Sequence, residues 1–183
     1  MKLLLYCTKA KPELYITDKG FVLTDFGLGE YFNNKVLLNG KIVAECDFEV
    51  EQIQNKLTNN NSHLELFTDS LIEKKLFEKS CLNRYDMFSY LKNNFTKKDE
   101  IKGYAIYLKN LHIFDKPREL DFYSSNFDYF KKVEKAPQNM MKVWEDQESP
   151  RVLISIRPQW LCKILNGEKK IEIRKKVLKE MLK

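Results

Sequence analysis

Along most of this chain apolar residues recur at every second position or in short β-branched runs, which is the period of strands. Helical spacing is confined to a few stretches. Residues 2–9 form a first apolar strand, ended by Lys9, Lys11 and Pro12. Residues 15–23 read as a hairpin with Asp18-Lys19-Gly20 at its turn. A loop at 25–34 follows, then strand, turn and strand: 35–38, Asn39-Gly40, and 41–51. In the last of these Ile42, Ala44, Cys46 and Phe48 share one face, and Lys41, Val43, Glu45 and Asp47 the other. The polar stretch 55–62 is a surface excursion. Thr68-Asp69-Ser70 offers N-cap chemistry for a helix through Leu71, Leu76 and Phe77, and Asn83 caps a second one carrying Met87, Phe88 and Leu91. Residues 103–114 return to strand, 116–120 turn away, 121–135 form an aromatic, irregular loop, and Val143 and Trp144 end the last strand of this part.

The C-terminal stretch is the most ordered in its signals. Residues 152–156 are apolar except for Ser155 and suit a buried strand. Pro158 needs no N–H donor and opens a helix whose apolar face is Trp160, Leu161, Ile164 and Leu165; Asn166-Gly167 closes it. Lys169 to Arg174 then alternates with period two. Ile171 and Ile173 take one face; Lys170, Glu172 and Arg174 take the other. That alternation gathers a carboxylate and a guanidinium, with the Lys169 ammonium nearby. Routine ion pairs on a solvated strand face would produce the same pattern.

Charge changes this picture. From residue 151 onward there are ten Lys or Arg against three acids, a local balance of +7 in a chain whose total is +6. Positive charge concentrated in this way is the footprint of a polyanion partner, or of a solubilising tail. Length and composition fit one globular domain, residues 1–183, with 1–145 carrying the earlier strands and a helical insert and 151–183 the final strand-helix-strand. The start of the chain has too short an apolar stretch for a signal, and no run is long enough to span a bilayer. Cys7, Cys46, Cys81 and Cys162 are widely separated, without C-x-x-C pairs or histidines at ligand spacing. Reduced thiols in a cytoplasmic protein, with neither metal nor cofactor, are expected.

Ser155-Ile156-Arg157-Pro158 followed by Gly167-x-Lys169-x-x-Glu172-x-Arg174 resembles the signature of the ASCH domain family. Further pieces resemble its Firmicute and prophage members: Leu5-Tyr6-Cys7-Thr8-Lys9, Leu38-Asn39-Gly40-Lys41-Ile42-Val43-Ala44-Glu45, Phe114-Asp115-Lys116-Pro117-Arg118-Glu119-Leu120 and Ala136-Pro137-Gln138-Asn139-Met140. In those members the motif comes first; here it comes last, as in a circular permutation. The resemblance implies a mainly β fold with peripheral helices (α+β), a PUA-like β-barrel in which residues 152–156 insert among strands from the first half. The joint at 146–150 must close within one chain, or give a domain-swapped dimer. Val177, Leu178, Met181 and Leu182 predict a short C-terminal helix that covers the sheet edge or packs on a second chain.

Two classes of function follow. In the first, a non-catalytic module binds RNA or a modified nucleoside in a basic, solvent-reachable cleft. Lys169, Glu172 and Arg174 form its centre, Arg157 stands at the helix opening, and Lys163 on the exposed flank of the helix. Thr8 and Lys9 lie across from them, as the resemblance implies. Trp160 or Tyr6 offers a stacking face, although Trp160 serves equally as the anchor of its helix. In the second, the same cleft is a hydrolase, a ribonuclease or an amidohydrolase acting on acetylated cytidine, with Lys169 and Glu172 catalytic. This chain has Glu172 where the amidohydrolases that it resembles have a threonine, and two neighbouring cations hold Glu172 ionised, which favours binding over proton transfer.

Overall fold

A computed structural model describes residues 1–25, 34–56, 70–92, 100–146 and 148–182. In chain order its strands are β1 (Lys2–Cys7), β2 (Glu13–Thr17), β3 (Gly20–Thr24), β4 (Val36–Leu37), β5 (Ile42–Lys56), β6 (Glu100–Arg118), β7 (Ser124–Asn126), β8 (Lys131–Lys132), β9 (Met140–Trp144), β10 (Pro150–Ile156) and β11 (Ile171–Arg174). Helices α1 (Ser70–Ser80) and α2 (Arg84–Lys92) lie between β5 and β6, and α3 (Pro158–Leu165) between β10 and β11. The fold is therefore mainly β, with a mixed sheet and few helices. The polar excursion at 55–62, the loop at 25–34 and the caps Thr68 and Asp69 fall wholly or largely outside the described residues.

The chain forms two compact units: Met1–Phe48 with Lys109–Gly167, and Glu49–Leu108 with Glu168–Lys183. The long strands β5 and β6 each contribute residues to both. In the first unit, strands follow the order β5-β1-β10-β9-β7-β8, and a smaller sheet runs β3-β2-β4. β10 pairs in parallel with β1, Lys2 to Cys7 against Arg151 to Ile156, and antiparallel with β9, so residues 152–156 do insert among earlier strands of the same chain. Asp146 makes the β9–β10 joint a tight turn, its Oδ1 accepting the amides of Glu148 and Ser149 at 2.9 and 2.8 Å. Leu4, Tyr6, Ile42, Phe114, Tyr123, Val133, Val143 and Leu153 form one core. Helix α3 packs on β1, β2 and β3 through Leu161, Cys162, Ile164 and Leu165.

In the second unit β11 pairs antiparallel with β6, Ile171 opposite Tyr107 and Arg174 opposite Tyr104. Ile53, Leu76, Met87, Leu91, Ala105, Ile171 and Ile173 make its core. Asn83 caps α2 as its position predicts: Oδ1 accepts the Asp86 amide at 2.8 Å while Nδ2 donates to the Asp86 carboxylate at 2.7 Å.

Four expectations are corrected. β4 pairs with β2 rather than with β5, because Asn39 Oδ1 takes the Leu14 amide and holds the segment against the small sheet. β6 runs on to Arg118 before turning. Residues 121–135 are not an irregular loop: they hold the β7–β8 hairpin, built on the buried Tyr123 and Val133. The C-terminal helix shrinks to one 3₁₀ turn, Lys179–Leu182, fixed by buried Met181; so short a segment gains too few hydrogen bonds to offset helix nucleation. Cys7, Cys46 and Cys162 are buried, Cys81 partly so, and all four are free thiols.

Candidate functional site

The expected site residues divide between the units. Lys169, Glu172 and Arg174 belong to the second, and Thr8, Lys9, Arg157 and Lys163 to the first.

In the second unit the three charged residues do meet. Lys169 Nζ lies 3.4 Å from Glu172 Oε2, and Arg174 Nε 2.9 Å from Glu172 Oε1. They meet inside the unit rather than at a solvent-reachable face: the Lys169 side chain is 2% exposed and that of Glu172 10%. The reason is local. Helix α1 ends at Ser80 with Cys81 in the left-handed conformation, which leaves its last carbonyls pointing at the start of the β11 segment. Lys169 Nζ donates to the Ser80 carbonyl at 2.6 Å and the Lys170 amide to the Lys79 carbonyl at 2.8 Å. A cation at a helix C-terminus is favourable, and here it also closes the helix. Burial holds the Lys169 ammonium below the usual lysine range, with Glu172 opposing the shift. Tyr90 of α2 completes the cluster. Its hydroxyl is pushed up by burial and feels both Arg174 and Glu172, and Lys175 lies 4.9 Å over its ring. Sequence gave no sign of Tyr90 or Ser80, since both follow from where α1 and α2 land. Glu172 does not lie on a solvated face: its side chain is 10% exposed and held between Lys169 and Arg174, while α1 meets β11 through Leu76 on the opposite, Ile171 and Ile173 side.

In the first unit the parallel pair β1–β10 ends at Thr8 and Arg157. The Thr8 amide continues the ladder, donating to Ile156 O at 2.9 Å. Its side-chain hydroxyl is buried and has no hydrogen-bond partner among the described residues; neither has the buried Oε1 of Gln159, the second residue of α3. Buried polar atoms are nearly always paired, and each exception calls for an explanation. The exposed residues near them in sequence, Lys9 and Arg157, are cationic. Arg157 is the N-cap of α3, its carbonyl accepting the Trp160 and Leu161 amides while its side chain faces solvent. Lys9 is exposed, and its side chain runs over the turn at Gly40, where an added Cβ would lie 2.7 Å from Lys9 Cε. Gly40 also has φ +85°, so both its conformation and this close approach require glycine. Asn39 fixes the loop that follows Thr8, accepting the Leu14 amide at 2.8 Å and donating to the Ala10 carbonyl at 2.6 Å. Lys163 lies 5.6 Å over the Trp160 ring. Tyr6, expected as a stacking face, is instead a core residue. Gln159 was missed, although its place directly after Arg157-Pro158 was the available signal.

Among the described residues no group of His, Cys, Asp and Glu could hold a metal ion, and no helix is long and apolar enough to cross a membrane. No family model matches the chain, and neither any curated protein nor any solved structure matches it.

Proposed function

We propose that the chain is an RNA- or modified-nucleoside-binding protein of the PUA-like, ASCH type that holds its ligand at the carboxyl ends of β1 and β10. The observation that carries this reading is the pair of unpartnered buried oxygens, Thr8 Oγ1 and Gln159 Oε1, beside the exposed cations Lys9 and Arg157. A buried polar atom without a partner costs about 1–3 kcal/mol. A ligand carrying an amide or amine N–H, as nucleobases do, removes that cost on binding. Lys9, Arg157 and Lys163 supply the phosphate contacts, and the half-buried Trp160 beside Lys163 supplies a ring. The resemblance of residues 151–174 to the ASCH signature supports the same class of ligand. Lys169, Glu172 and Arg174 hold the second unit together: they are ion-paired with side chains 2% to 12% exposed, so neither the carboxylate nor the ammonium reaches solvent freely. Binding is therefore preferred to hydrolysis.

The test is titration of the purified protein with a short RNA and with acetylated cytidine, at low and high salt, alongside Lys9→Ala, Arg157→Ala and Lys169→Ala. The expected result is binding that salt weakens and that Lys9→Ala and Arg157→Ala weaken further, without turnover. No binding to either at low salt would remove the proposal. Hydrolysis of the acetylated cytidine or the RNA, abolished by Lys169→Ala in a folded protein, would replace it with the enzyme.

A further inference from the structure

The hairpin β7–β8 and strand β9 carry a second surface that neither the motif nor the β1–β10 end uses. Its inner side is core: Tyr123, Val133 and Val143 are buried. Its outer side is a string of rings. Trp144 and Phe127 lie with centroids 6.2 Å apart, and Phe127 and Phe130 5.7 Å apart. Interplanar angles of 43° and 52° mean that the rings touch without covering one another's faces. Beside them at the hairpin tip Tyr129 is 81% exposed and Phe130 50%.

Cations run along the same string. Ser124 of β7 is directly opposite both Lys132 of β8 and Trp144 of β9. Residues opposite one another in an antiparallel ladder project to one face, so a small residue separates an ammonium from an indole. Lys142, two residues before Trp144 and therefore on the same face, holds its Nζ 5.3 Å over the indole. Lys131 follows Phe130 and is exposed. Two acids stand nearby: Asp121 pairs with Lys132 at 3.8 Å, and Asp128 is exposed in the turn, where its amide donates to Asn126 Oδ1 at 3.0 Å.

The tip is held in a costly shape. Phe130 has φ +43°, a left-handed conformation that glycine or asparagine adopts readily and a bulky residue does not. Its ring is half exposed, so the strain is not offset by burying it. Strain of this kind, in a ring that stays half exposed, points to function.

We infer that this face is a stacking platform for single-stranded nucleic acid, with bases against Tyr129, Phe130, Phe127 and Trp144 and phosphates against Lys131, Lys132 and Lys142. The composition selects the partner. The outward groups are flat rings interleaved with ammonium groups, which matches the alternation of π faces and phosphates along an unpaired strand. Base stacking tolerates any sequence because every base has a π face, and phosphate contacts are equally indifferent to sequence. The platform would give the protein a grip on unpaired strands of any sequence. It stands independently of the reading at the β1–β10 end.

The experiment uses the full chain with Trp160→Phe, so that Trp144 is the only indole. Oligouridylate is titrated while Trp144 fluorescence and anisotropy of the labelled oligonucleotide are followed. Binding should quench Trp144, and Tyr129→Ala with Phe130→Ala should weaken affinity at least about five-fold, the lower end for one lost base stack. The double variant should leave the salt slope unchanged, because no charge is altered; made in the chain that keeps Trp160, it should bind a single modified nucleoside as that chain does. Its fold is checked by its thermal transition, which exposed side chains should not lower. An unquenched Trp144 or unchanged affinity in the double variant would overturn the platform even if RNA binds through Arg157. Loss of nucleoside binding in Arg157→Ala with oligouridylate quenching intact would separate the two surfaces in favour of both. Two other outcomes would overturn it: binding of anionic vesicles, or self-association, that depends on Tyr129 and Phe130 when oligouridylate does not bind.

Discussion

The two units treat charge in opposite ways. In the second, Lys169, Glu172 and Arg174 are withdrawn from water and ion-paired with one another, and Lys169 also donates to the Ser80 carbonyl at the end of α1. In the first, Lys9 and Arg157 stay in water while the oxygens of Thr8 and Gln159 beside them are buried and unpartnered. Satisfied buried charge belongs to stability, and breaking it is costly. Unsatisfied polar atoms beside exposed cations contribute nothing to stability and suit an incoming ligand. The lesson is that the charged residues of a sequence pattern can serve the scaffold, which moves the proposed binding to other polar atoms.

The largest expected effect breaks this contrast if it is mistaken. Glu172→Ala leaves two buried cations without their carboxylate and should cost about 3–5 kcal/mol in urea unfolding. Arg157→Ala should change stability by no more than about 0.5 kcal/mol, as surface substitutions do, yet weaken RNA binding. Equal stability losses in the two variants would erase the distinction between the units.

Alkaline pH should act on the units with opposite sign. Burial pushes the thiols of Cys7 and Cys46 up to about 12 from 9.0. The unfolded thiol releases its proton above pH 9.0 while the folded one keeps it. Their contribution is therefore full below pH 9.0 and lost towards 12, by about 1.4 kcal/mol per pH unit for each thiol. Lys169 works the other way: its folded pKa lies below 10.5, so in the window just under that value the unfolded state holds more protons and stability rises with pH. Urea unfolding as a function of pH should show a shallower alkaline fall in Cys46→Val and a steeper one in Lys169→Met.

How much of this was readable beforehand follows from what each signal reports. The strand at 152–156, the helix opened by Pro158 and closed at Gly167, and the Asn83 cap were legible because their rules are local. The pairing of β4 with β2 was not, since it depends on Asn39 reaching Leu14 across 25 positions. The period-two pattern at 169–174 located the ion cluster but left Glu172 within reach of solvent, because alternation gives the face of a residue and not what the rest of the unit packs around it. The β7–β8 hairpin was hidden by Phe130 standing where a turn normally signals itself with glycine.

The smallest effect sharpens the first unit alone. Lys163 lies on the flank of α3 with its ammonium over Trp160. Lys163→Ala should weaken RNA binding evenly across sequences and flatten the plot of log K against log salt by about 0.7, as for one phosphate contact on a single strand. A change in sequence preference instead would mean that Lys163 reads a base.

The most direct test of the central claim is Thr8→Val, with unfolding and nucleoside binding measured on the same preparation. Valine keeps the shape and removes the buried hydroxyl that has no partner among the described residues. The account predicts that stability holds or rises, by up to about 1 kcal/mol, while affinity for the modified nucleoside falls at least about five-fold, the equivalent of one lost hydrogen bond. A clear loss of stability with affinity intact would mean that the hydroxyl serves the fold, and the β1–β10 end would no longer be the binding site.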